Sequence, residues 1–101
     1  MPSGNHNMDI TKNVMMIETL KAEIVTGLGQ LYQAMYLNQE TEISDSLANL
    51  IIRCYILSKR LGIPFSEMDS IIEEKMQFVS EKSEDFIKFR EYLVKRSLNN
   101  W

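Results

Sequence analysis

With 101 residues, 45% apolar and 25% charged, and only four glycines and two prolines, the chain is sized for one small helical domain and is too apolar for a disordered one. Its formal net charge of -3 argues against the basic surface that nucleic-acid binding needs, and the pairs Lys59-Arg60 and Lys95-Arg96 do not change that. The single cysteine, Cys54, excludes an internal disulfide and points to a reducing, cytoplasmic setting.

Residues 1–9 are polar and contain Pro2, Gly4 and Asn5, so they read as a flexible N-terminal tail without the apolar core of a signal peptide. No stretch reaches the ~18 uninterrupted apolar residues that membrane spanning asks for, and no membrane partner is expected. Residues 10–101 then form a single domain. Within it Ile10, Val14, Ile17, Leu20, Ile24, Leu28, Leu31 and Met35 recur at steps of three and four, which predicts a long helix over about 12–37. Gly27 and Gly29 inside it cost ~1 kcal/mol each relative to alanine, a cost that favours close packing at that point.

A short connection over Asn38 to Thr41 leads to a second helix, with Glu42 and Asp45 in its first turn. Lys59 and Arg60 mark its last turn, Gly62 suits a left-handed cap, and Pro64 stops continuation. Ile43, Leu47, Leu50, Cys54, Leu57 and Leu61 form a seam of coiled-coil spacing, flanked by Ala48, Ile51, Ile52, Tyr55 and Ile56. A helix apolar over that much of its circumference asks for more neighbours than one short chain supplies. A homo-oligomer, dimer or tetramer, is therefore expected through this helix. Cys54 reads as a small buried thiol in the seam.

Ser66-Glu67-Met68-Asp69 resembles a capping box opening a third helix, with Met68, Ile71, Ile72, Lys75, Met76 and Val79 along its inner edge. Ser83 is the expected N-cap of a fourth helix with an apolar face of Phe86, Ile87, Phe89, Leu93, Val94 and Leu98. Lys88, Arg90, Lys95, Arg96 and Trp101 make this last helix the one segment with any membrane-surface character, which Glu84, Asp85 and Glu91 weaken. Four helices with short connections define an all-α, four-helix antiparallel bundle, completed by dimerisation.

Residues 17–78 resemble the MazG-like proteins of the all-α nucleoside triphosphate pyrophosphohydrolases in apolar spacing. Ile24-Val25-Thr26-Gly27-Leu28-Gly29-Gln30-Leu31 resembles that family's first metal helix, Glu-Glu-x-x-Glu, and Ser46-Leu47-Ala48-Asn49 resembles the second, Glu-x-x-Asp. Lys59-Arg60-Leu61-Gly62-Ile63 and Ile72-Glu73-Glu74-Lys75-Met76 continue the likeness. The resemblance implies Mg²⁺ held by carboxylates from two facing helices, which offsets triphosphate charge and activates the attacking water.

At the family's metal-ligand positions this chain carries Thr26, Gly27, Gln30, Ser46 and Asn49, all uncharged, and neutral oxygens offset little of the dehydration cost of Mg²⁺. A displaced metal site would draw on Glu23, Glu42 and Asp45, residues that also read as solvated helix-end acids. Arg53, within the most apolar helix, is a candidate for an ion pair across the bundle or for phosphate, against the ordinary reading of a snorkelling side chain. Lys75 stands where the resemblance places a phosphate-side lysine and reads equally as an exposed helix residue. His6 has no partner in sequence.

The function expected from this resemblance is that of a catalytically degenerate pyrophosphohydrolase relative, with nucleotide binding or residual Mg²⁺-dependent hydrolysis left open. The alternative is a non-catalytic helical module for dimerisation or protein interaction.

Overall fold

The computed structural model describes residues 3–78 and 83–99, with side chains from Asp9 onward. Val79, Trp101 and the side chain of His6 lie outside the described residues. The described residues form four helices and no strand: α1 (Ser3–Tyr36), α2 (Glu40–Arg60), α3 (Phe65–Phe78) and α4 (Glu84–Asn99). The chain is therefore all-α, and it divides into two compact units, Met1–Phe65 and Ser66–Trp101.

The first unit is an antiparallel hairpin of α1 and α2. Helical backbone extends to Ser3, into the segment read as a tail, because adding turns to an existing helix is far cheaper than nucleating one. The turn is built by Asn38, the one non-glycine residue with positive φ (53°) among those described. The Gln39 N–H donates to the Ala34 carbonyl at 3.0 Å and the Asn38 N–H to that of Met35 at 3.2 Å, a Schellman closure with asparagine in the left-handed position. The end of α2 repeats the device with Gly62 (φ 96°). There Ile63 N–H donates to the Ser58 carbonyl at 2.8 Å and Gly62 N–H to Lys59 at 3.0 Å.

The contact face of α1 runs through Asn13, Ile17, Leu20, Ile24, Gly27, Leu31 and Ala34, with Leu20 and Ala34 buried. That of α2 runs through Ile43, Ser46, Leu50, Arg53, Leu57 and Arg60. The expected α2 seam is thus divided: Ile43, Leu50 and Leu57 point inward, whereas Leu47, Cys54 and Leu61 are exposed. A seam read by hydrophobicity alone skips Ser46, Arg53 and Arg60, which take the alternate inward positions because the helix phase puts them there. Cys54 is accordingly an exposed thiol, contrary to the core position expected for it.

Gly27 has a packing reason. A Cβ built on it would lie 3.2 Å from Leu50 Cδ2, so the absent side chain lets Leu50 rest against the α1 backbone. Gly29 meets nothing within 4 Å. Far from the turn, Asn13 Nδ2 donates to the Arg60 carbonyl at 3.2 Å and Arg60 Nη1 donates to Asn13 Oδ1 at 3.4 Å, closing the open end of the hairpin. Ser58, buried at 5% exposure, donates its Oγ hydroxyl to the Tyr55 carbonyl at 2.8 Å and is thereby satisfied.

Helix α3, which leads into the second unit, starts at Phe65, the last residue of the first unit, so Ser66 lies inside its first turn and does not serve as the expected N-cap. Ser83 does cap α4, its Oγ accepting from the Asp85 N–H at 3.2 Å. Met76 and Leu93 are buried, and Arg90 donates from Nε (3.1 Å) and Nη2 (2.8 Å) to the Met76 carbonyl, satisfying an acceptor in the last turn of α3. Arg96 and Asp69 lie 3.8 Å apart in an ion pair.

Candidate functional site

An open cleft of ≈ 300 Å³ lies on the α1–α2 hairpin, lined by Ala22, Glu23, Thr26, Gly27, Gln30, Asn49, Leu50 and Arg53. Its volume is at the lower limit for small-molecule sites. Four of the five positions that resemble metal-ligand positions, Thr26, Gly27, Gln30 and Asn49, meet here, although they are far apart in sequence. The fifth, Ser46, is half-buried one turn nearer the hairpin turn and does not line the cleft.

Gly27 sets the floor. Its lack of a Cβ brings Leu50 against α1, so the cleft opens above a tight helix–helix contact between the polar residues on either side. Across it, Arg53 Nε lies 3.6 Å from Glu23 Oε1, with the two side chains 31% and 43% exposed. Arg53 Nη1 also donates to the Asn49 carbonyl one turn back, at 3.4 Å. Arg53 therefore spans the hairpin and carries the sole positive charge in the cleft wall, facing its sole negative charge, Glu23.

The other candidates are elsewhere. Glu42 and Asp45 are exposed on α2 and do not line the cleft. In an antiparallel hairpin, a step toward the N-terminus moves away from the turn on α1 and toward it on α2. Glu23 consequently pairs at the level of Arg53, and Asp45 lies roughly 12 Å along the axis from that level. Among the described residues no three His, Cys, Asp or Glu side chains come together in a group able to hold a metal. The cleft's donor set, one carboxylate engaged by a guanidinium plus neutral amides and a hydroxyl, does not fit Mg²⁺. Lys75 belongs to the other unit, where it is exposed on α3 beside Ile71, Glu74 and Phe78.

The pair with Glu23 is the ion pair across the bundle for which Arg53 is a candidate in sequence, and helix phase accounts for it: Arg53 is three residues after Leu50 and four before Leu57, both of which face α1.

The described residues are all-α, and the polar cleft lies between the two antiparallel helices of the first unit. The model of the MazG-like family matches residues 10–89, most of the chain, and the protein belongs to that family. Comparison with curated proteins and with solved structures gave no match. No helix among the described residues is long and apolar enough to cross a membrane.

Proposed function

We propose that this protein is a nucleotide-binding member of the MazG-like family that has lost the family's hydrolytic metal site. The observation that supports this reading is the α1–α2 cleft, where four of the five residues that resemble the family's metal-ligand positions line one wall with amides, a hydroxyl and a glycine. Such a wall offers hydrogen bonds to a base or a phosphate, and its single carboxylate, Glu23, is engaged by Arg53 and too little to hold and activate Mg²⁺. Family membership makes the pyrophosphohydrolase relationship one of descent; the reaction itself depends on the carboxylates. The proposed setting is the cytoplasm, in keeping with a chain that carries one cysteine and so no internal disulfide.

Titration calorimetry with a panel of nucleoside triphosphates tests the reading. Saturable binding is expected at one site per chain, abolished in Ala22→Trp, which fills the cleft from an exposed position without changing charge. The absence of binding with and without Mg²⁺ would overturn it.

A second reading, a helical module acting through self-association, has its own support. Val25, Leu28, Tyr32 and Met35 form an exposed stripe on α1 at coiled-coil spacing, and Leu47, Ile51 and Ile52 on α2 and Leu61 just after it are exposed. The homo-oligomer is proposed as the unit in which nucleotide binding takes place.

A further inference from the structure

We infer that Arg53 anchors a phosphate group in the α1–α2 cleft without a divalent cation, and that Glu23 acts as a displaceable counter-ion that competes with this ligand. The inference rests on the nucleotide-binding reading and assigns its charge chemistry. A phosphate entering a wall of carboxylates needs a metal between like charges. In this cleft Gln30 and Asn49 are neutral amides, Thr26 is a hydroxyl, and the one cation is Arg53. A guanidinium presents five N–H donors in a plane suited to two oxygens of one phosphate.

Neither of the polar contacts that Arg53 makes with Glu23 and Asn49 is short. The pair with Glu23 is 3.6 Å long, and the bond to the Asn49 carbonyl is 3.4 Å, within the same helix. Both partners of the pair are partly exposed, at 31% and 43%, which puts it among ion pairs that solvent screens strongly. A bidentate phosphate is a stronger partner for the guanidinium than a carboxylate held at that distance. The amide nitrogens of Gln30 and Asn49 and the Thr26 hydroxyl are further donors along the same wall. Glu23 then keeps the arginine positioned across the hairpin while the cleft is empty of anion, and it repels the anion on entry.

The two roles open to Glu23 make opposite predictions. As a metal ligand it strengthens binding, in a Mg²⁺-dependent way; as a counter-ion it weakens binding, with no need for Mg²⁺. The test is titration of the full chain with ATP and with inorganic pyrophosphate, each in EDTA and in Mg²⁺, for the unchanged protein, Glu23→Gln, Arg53→Gln and Arg53→Lys. Far-UV circular dichroism and the thermal midpoint check that each variant is folded.

The expected result is binding in EDTA that Glu23→Gln tightens about two- to fivefold, the range an exposed pair of this kind is worth. Arg53→Gln should lose it, and Arg53→Lys, which keeps the charge without the planar fork, should recover part of it. Binding that requires Mg²⁺ and weakens in Glu23→Gln would overturn the counter-ion role while leaving nucleotide binding intact. Binding unaffected by Arg53→Gln would overturn the anchor. No binding by the unchanged protein to either probe under either condition would overturn this inference and the nucleotide-binding reading together.

Discussion

Two glycines in one helix differ in what they do. Gly27 brings α2 close, since any Cβ there would press on Leu50 Cδ2 at 3.2 Å, whereas a Cβ on Gly29 would stand in open space. Gly29→Ala should therefore stabilise the protein by about 0.5–1 kcal/mol through helix propensity and unfolded-state entropy, read as a higher urea midpoint. Gly27→Ala should gain less than Gly29→Ala, because Leu50 must shift to admit the methyl group. Gly62 is a third case: its φ of 96° is one that an L-residue adopts only with strain, so Gly62→Ala should cost about 1–2 kcal/mol. The sequence showed that Gly27 and Gly29 were costly in a helix, but only the facing side chain distinguishes them.

At the scale of elements, chain punctuation was well marked in the residues. Gly62 and Pro64 end α2 where expected, Ser83 caps α4, and the helices follow the apolar period. Ser83→Ala should lower stability by about 0.5–1 kcal/mol, measurable by urea unfolding followed by circular dichroism, since it frees the Asp85 N–H at an exposed helix end. Rotational phase was the less legible part. Periodicity grouped Leu50 with Leu47 and Cys54, yet the hairpin turns Leu50 inward and leaves the other two exposed, because apolar residues cover more of α2 than one neighbour can. The same limit applied to the site. Thr26, Gly27, Gln30 and Asn49, singled out by resemblance alone, line one cleft of the hairpin, while the placement of Glu23 relative to Asp45 depends on the antiparallel register.

For the whole molecule, the outstanding fact is how little is fully enclosed. Among the described residues the buried apolar side chains are Leu20, Ala34, Met76 and Leu93, while Val25, Leu28 and Tyr32 are 73%, 60% and 74% exposed. Apolar stripes of that extent are characteristic of surfaces that a partner covers. Light scattering coupled to gel filtration should give a mass above that of one chain, and Leu28→Asp should reduce it toward the 11.8 kDa monomer with helicity retained. Leu50→Asp is a different experiment: Leu50 packs on Gly27 within the hairpin, so that change should unfold α1 and α2 from each other. A mass unchanged by Leu28→Asp would remove the α1 stripe from the interface.

The central claim is a MazG-like fold whose cleft has exchanged hydrolysis for binding, and pyrophosphate release from nucleoside triphosphates in Mg²⁺ or Mn²⁺ tests it most directly. No release above a protein-free control is expected for any nucleotide in the panel. Sustained release that disappears in the Glu23→Ala/Asp45→Ala variant would contradict it and establish a working metal site in this chain.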